Sequence, residues 1–194
     1  AASQRFGTRF NTYYVTPDDV VSALPKIAAA YDEPFGNSSA LPAYFCAQLA
    51  FADGRQRLLA GDGGDELFAG NTRYAKQAIF ERYHLLHRLL RRGLLEPVVC
   101  RLPAGFPKAA KAKSYIDQAN VPLPDRLQTY NFLNRFGVSS ILSHGLLDVV
   151  DTEQALALER EIYASPPEAS RLNRMLYLDW HHTLADNDLR KVNR

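Results

Sequence analysis

A parallel α/β portion over residues 1–75, joined to a mainly helical portion over residues 76–194, is the fold class that the sequence predicts. Three observations carry it. The first seventy residues read strand, helix, strand. The second of those strands stops at the acidic, glycine-rich turn of Leu58-Leu59-Ala60-Gly61-Asp62-Gly63-Gly64-Asp65-Glu66-Leu67-Phe68-Ala69-Gly70, after which a helix opens. From Thr72 onward the apolar spacing is helical throughout. A β-α-β order implies parallel pairing, and in such sheets ligands bind beyond the carboxyl ends of the strands, where residues 61–66 fall.

The composition admits one globular domain and excludes several classes. At 194 residues, 46% hydrophobic and 23% charged, the chain can bury a sizeable core and is neither disordered nor repetitive. The balance of 23 basic against 21 acidic residues is too even to imply a nucleic-acid partner. His87-Arg88-Leu89-Leu90-Arg91-Arg92 is the densest basic patch, and its interleaved leucines make it the solvated face of a helix. No run is long enough to cross a bilayer. Cys46 and Cys100 lack CxxC spacing and sit among apolar residues, so both are expected to pack as small hydrophobes in a reducing cytoplasm. The one methionine is Met175, so the sequence reads as a piece of a longer protein, beginning within a helix that closes at Gly7.

Taken in order, Phe10 to Val15 alternates and carries Phe, Thr and two Tyr, which predicts a strand. Thr16-Pro17-Asp18-Asp19 starts a helix, with Thr16 as N-cap and Pro17 at the first position; Pro25 is expected to kink or split it. A Pro-stiffened loop, Tyr31 to Pro42, leads to a helix over about Leu41 to Ala52 that ends at Gly54. The chain then enters the Gln56 to Ala60 strand, predicted to be buried at its apolar end.

At the following turn, Gly61, Gly63 and Gly64 permit positive φ and close approach of backbone to a ligand, and Asp65 and Glu66 lie where a helix begins. Its N–H groups suit phosphate oxygens, but Asp62 and Asp65 would repel a bare polyphosphate, so a phosphate site here requires a divalent cation, naturally Mg²⁺. Turn chemistry alone favours the simpler reading, in which Asp62 and Asp65 only cap a helix and the glycines only make the turn.

The later portion reads as a long amphipathic helix from Tyr74 to Leu95, a basic connector from Arg101 to Lys113, and helical patterns at Pro124 to Phe136, Val138 to Asp148, Thr152 to Ala164 and Ser170 to Thr183. His84 and His87 share a helical face but lack a third ligand at matching spacing, and the neighbours His181 and His182 point apart, so all four read as surface or packing residues.

Gly61-Asp62-Gly63-Gly64-Asp65-Glu66-Leu67-Phe68, followed by Gly70, closely resembles the signature of the synthetase domain of glutamine-dependent asparagine synthetases. Two further stretches resemble the family: Asp32-Glu33-Pro34-Phe35 with Ser38-Ser39, where Asn37 replaces the usual acid, and Leu184 to Arg194, where Leu189, Lys191, Val192 and Arg194 fit while Ala185 and Asn193 depart from the usual Pro and Asp. The similarity covers most of residues 1–80 and 176–194. It implies a partial adenine-nucleotide-hydrolase-like fold of the pyrophosphatase-loop type, in which ATP adenylates the aspartate β-carboxylate and ammonia attacks the acyl-adenylate.

Residue by residue, the resemblance implies that Ala60, Gly61, Gly63 and Gly64 line the ATP site, the family more often having Ser at position 60. Asp62 matches the acid associated with forming the acyl-adenylate, Asp65 the acid that holds Mg²⁺ on the pyrophosphate, and Glu66 a structural position. The implied partners are aspartate, ATP, ammonia from glutamine and a glutaminase domain of the same chain. The family's Ser-Gly-Gly-x-Asp-Ser loop and its later lysine do not occur in these 194 residues, so the piece alone is expected to be inactive, and an exposed sheet edge predicts self-association, as in a homodimer. An amide-forming relative acting on another carboxylate, such as a β-lactam synthetase, and a noncatalytic helical interaction module are the competing readings.

Overall fold

The structure, a computed structural model, describes residues 2–32, 35–103, 107–131, 133 and 136–192. Glu33 and Pro34 of the loop, Gly105 of the connector, Phe132, Asn134 and Arg135 within the predicted helix over 124–136, and Asn193 and Arg194 of the last stretch lie outside the described residues. Two compact units make up the chain: residues up to Gly64 together with those from Trp180 onward, and Asp65–Asp179.

The first unit is built on helices α1 (Ala2–Phe6), α2 (Pro17–Ala30) and α3 (Ala40–Ala52). Gly7 follows α1 at φ +61°, the left-handed conformation that a helix stop uses. At the start of α2 the Asp19 N–H donates to Thr16 Oγ1 at 3.3 Å while the Thr16 N–H donates to Asp19 Oδ2 at 2.9 Å, a reciprocal cap that satisfies two otherwise orphaned donors. The helix neither stops nor splits at Pro25; it runs through, at the cost of one backbone hydrogen bond. It packs on α3, whose Ala40 and Phe45 are buried, and α3 ends as expected, with Gly54 at φ +72°.

Among the described residues there is no strand. The segments predicted as strands, Phe10 to Val15 and Gln56 to Ala60, carry no ladder of hydrogen bonds, and Leu58 and Leu59, expected to be buried, are 58% and 104% exposed. A strand is defined by its neighbour: alternation sets the local preference, but only a paired chain takes up the N–H and C=O groups. Tyr13 alone ties the first segment down, stacking on Phe45 with ring centroids 5.1 Å apart.

In the second unit the long helix predicted over Tyr74 to Leu95 is broken. It comprises α5 (Thr72–Tyr83), the short α6 (Arg88–Leu90), a π-helical turn over Arg91–Leu95, and α7 (Glu96–Arg101), with Pro97 in its first turn. The break lies at His84 to His87, where the His87 ring nitrogen accepts the Leu89 N–H at 3.3 Å and caps a new start. The expected basic connector is largely helix α8 (Pro107–Asn120), opened by a proline at its first position. Shorter turns follow: 3-10 helices at Asp125–Gln128 and Val138–Ser140, and α9 (His144–Leu147). Helices α10 (Gln154–Ala164) and α11 (Arg171–Asp179) then pack together. Cys46 and Cys100 are free and exposed, not packed as small hydrophobes, because Cys46 faces an open cavity and Cys100 lies on a helix with no buried residue.

Two apolar clusters hold this unit: Tyr74, Leu127, Met175 and Leu178, and Phe80, Tyr83, Ile116 and Ala119. Each large side chain there contributes roughly 1.5–3 kcal/mol of burial. Two buried charged side chains are paired. Asp179, 3% exposed, accepts from the Tyr74 hydroxyl at 2.6 Å and from Arg73 Nη2 at 2.7 Å, and burial together with that carboxylate raises the Tyr74 pKa far above its usual value. Arg126, 2% exposed, donates to Glu81 at 2.9 Å and to the carbonyls of Val121 at 2.8 Å and Ala119 at 3.2 Å, so each of its three side-chain nitrogens meets a protein oxygen.

Candidate functional site

The glycine- and acid-rich turn does open a helix, α4 (Gly64–Phe68), and the division between the two units falls inside it, between Gly64 and Asp65. Of the three glycines expected to use positive φ, Gly63 alone does, at +94°. It is also closely packed: a Cβ there would stand 3.1 Å from Leu184 Cδ2. A Cβ on Gly61 or Gly64 would meet nothing within 4 Å, so at these two positions the backbone is open to a ligand. At five residues, α4 sums few peptide dipoles, and the site's electrostatics rest on side chains.

In the first unit Asp62 is met by Lys191, on the final helix α12 (Leu189–Val192). The Lys191 ammonium lies 3.0 Å from Asp62 Oδ1 and 3.0 Å from Asp188 Oδ1, with side-chain exposures of 15% for Lys191, 21% for Asp62 and 25% for Asp188. Partial burial works against the Lys191 charge, but hydrogen bonds to Asp188 and Asp62 outweigh it, and the pKa is raised. Asp188 Oδ1 also accepts from Asn37 Nδ2 at 3.2 Å, and the same amide donates to Asn187 Oδ1 at 3.1 Å. Asn37 is held in turn, its Oδ1 accepting the Ser39 N–H at 3.0 Å and hydroxyl at 2.6 Å.

Ala60 and Asp62 border a cavity of about 840 Å³ within this unit, walled by the facing sides of α2 and α3 and by Leu58 and Leu59, with Lys191 at its edge. That volume lies within the range of small-molecule sites, which combine apolar walls with a few placed polar groups. An apolar chamber with an ion pair at its rim can seat a polar reactant against a fixed carboxylate.

Asp65 belongs to the second unit. It is exposed, and its carboxylate folds back over Gly70, occupying the space where a Cβ on Gly70 would stand. Asn71 follows as N-cap of α5, accepting the Arg73 N–H at 2.9 Å. Among the described residues no three His, Cys, Asp or Glu side chains cluster as a metal cage. One accessible carboxylate is nevertheless the donor set that suits Mg²⁺ delivered on a phosphate, since that ion keeps waters and phosphate oxygens and takes one or two protein carboxylates.

Sequence reasoning placed no role on Asn37, Asp188 or Lys191. The available signal was the i, i+3 spacing of Asp188 and Lys191, which sets opposite charges on one helical face; their meeting with Asp62 depends on the tertiary fold.

The family model described as asparagine synthase matches residues 1–194, and the chain belongs to that family. It is 26% identical over 183 residues to asparagine synthetase [glutamine-hydrolyzing] 1 of Bacillus subtilis (strain 168), covering 93% of this chain and 27% of that protein. A candidate glutamine-hydrolysing asparagine synthetase of Mycobacterium bovis is 29% identical over 126 residues, 65% of this chain and 18% of its own length. A third relative, a candidate enzyme of the same name from Methanocaldococcus jannaschii, is 39% identical over 67 residues, 34% of this chain and 12% of its own. The chain thus spans about a quarter or less of the length of the curated relatives it matches. No solved structure matches it. Among the described residues no helix is long and apolar enough to cross a membrane.

Proposed function

We propose that this chain is part of the synthetase portion of an ATP-dependent, glutamine-hydrolysing asparagine synthetase, which adenylates the aspartate side chain and passes ammonia from glutamine to it. The family match along residues 1–194 is the observation that carries the reading. It is supported by the open glycine backbone at Gly61 and Gly64 and by a carboxylate held at the rim of a chamber of substrate size.

On this reading Ala60, Gly61, Gly63 and Gly64 line the ATP site, and the open backbone at Gly61 and Gly64 lets phosphate approach the main chain. Asp62 orients the reacting groups and stabilises charge as the acyl-adenylate forms, an effect of position and of a partly water-excluded site. Asp65 holds Mg²⁺, which supplies charge neutralisation of the leaving pyrophosphate. Residues 1–75 belong to the nucleotide-binding part of a parallel-sheet domain of the pyrophosphatase-loop type, whose segments 10–15 and 56–60, which carry no ladder here, take up strand pairing in the full-length protein, and residues 76–194 form its mainly helical part. The protein works in the cytoplasm beside a glutaminase domain of the same chain, as a homodimer.

Mg²⁺-dependent ATP–pyrophosphate exchange on the full-length protein tests this. Exchange driven by aspartate and lost in Asp65→Asn is the expected result. Exchange driven by a different carboxylic acid, with none for aspartate, overturns the substrate; no exchange with any acid overturns adenylation itself.

A further inference from the structure

We infer that Lys191 is a positioning residue for the Asp62 carboxylate, braced through Asp188 to Asn37; the inference rests on the role proposed above for Asp62. A lysine ammonium has three donors. Two of them are committed here at the same distance, 3.0 Å, to carboxylates on different parts of the chain: Asp188, one helical turn back, and Asp62 on the glycine turn.

An exposed ion pair of this kind contributes little, because two long side chains must be ordered in high dielectric. Two features set this one apart. All three side chains are at least three-quarters sheltered. The far end of the chain of contacts is also anchored: Asn37 accepts two hydrogen bonds from Ser39 and donates to both Asn187 and Asp188, so neither amide atom is free to turn. A run of hydrogen bonds therefore passes from the start of α3 through Asn37, Asp188 and Lys191 to Asp62. Its polarity is set at each step. An aspartate at position 37 would place an acceptor where Asp188 Oδ1 now meets a donor, and Lys191 would be drawn away from Asp62.

Among the described residues the Asp62 carboxylate pairs with the Lys191 ammonium. Such a brace acts on how the carboxylate is aimed, and therefore on turnover more than on nucleotide affinity. Residues that orient a functional side chain typically cost on the order of 10–100-fold in activity when removed.

The test uses the full-length protein, with Lys191→Met, Lys191→Arg and Asn37→Asp variants in aspartate-driven ATP–pyrophosphate exchange. Lys191→Met is expected to lower kcat by on the order of 10–100-fold with KM for ATP unchanged. Lys191→Arg, which keeps the charge and reach, recovers most of it, and Asn37→Asp falls between. Thermal unfolding of Lys191→Met, Asp62→Asn and the double variant supplies a readout free of catalysis: losses that are less than additive place the two groups in contact. Additive losses, or a Lys191→Met kcat equal to the wild type's, overturn the inference. If the wild type exchanges nothing with any acid, the adenylation reading fails, and the cycle alone decides whether the brace exists.

Discussion

Asp65 and Gly70 share one space: the carboxylate of the first lies where the second would carry a side chain. Gly70 is thus required for where Asp65 can point, and positive φ is not the reason. Gly70→Ala must push the carboxylate off its seat, while the short helix α4 and the cap at Asn71 stay in place. The variant is expected to fold with a Tm close to the wild type's and to require a higher Mg²⁺ concentration for half-maximal ATP–pyrophosphate exchange. An unchanged Mg²⁺ dependence would separate Asp65 from the metal.

Gly63 is constrained twice, by φ +94° and by the Leu184 methyls that a Cβ would meet at 3.1 Å. Gly63→Ala is expected to cost about 1–3 kcal/mol, the scale of a non-glycine residue held in a sparsely populated backbone region. Leu184, 5% exposed, is the atom group that must yield. In a Gly63→Ala background, Leu184→Ala should therefore cost less than it does alone. Denaturant unfolding of the four variants measures this difference, and equal costs would show that the contact contributes nothing.

Tyr83, 5% exposed, donates to Glu96 Oε1 at 2.8 Å, and the pair makes stability depend on pH at both extremes. Burial, then the hydrogen bond to Glu96, pushes the Tyr83 pKa up to about 12 from 10.0. A raised acid stabilises the fold below its unfolded value, so this contribution is complete below pH 10 and is lost as the pH rises toward about 12. Glu96 moves the other way: the Tyr83 hydroxyl, assisted by Asn120 at 3.2 Å, lowers its pKa from 4.5. Its contribution is present above pH 4.5 and is lost as the pH falls through the lower folded value. Tyr83→Phe should cost about 1–2 kcal/mol at neutral pH and weaken both limbs of a Tm-against-pH curve. Limbs of unchanged steepness would mean that other groups set them.

Features that depend on near neighbours in the chain were legible before the structure. Thr16 and Pro17 start α2 because the cap and the fixed φ act within one turn, and Gly7 and Gly54 end helices for the same reason. What depends on distant partners was not. The alternation at 10–15 names an extended chain and not its neighbour, so no ladder follows from it among the described residues. The apolar rhythm from Tyr74 to Leu95 has no Gly or Pro at 84–87, yet there the His87 ring takes a backbone N–H and restarts the helix. Within the site, Asp62 and Gly63 were legible as chemistry. Lys191 and Asn37 were visible only as letters in a familiar stretch, because the fold brings them to Asp62.

The nine residues from Trp180 to Asp188 form a π-helix, whose bonds each span one residue more than an ordinary turn. That surplus acts as a phase setting. Every residue of an ordinary helix rotates the chain by about 100°, and the π turns already hold their surplus, so one further residue inserted here without a wider turn to take it up would swing Asp188 and Lys191 by that angle, away from Asn37 and Asp62. A change of length in this segment is therefore heavier than any one substitution in it: it would leave each side chain intact and disengage them all together.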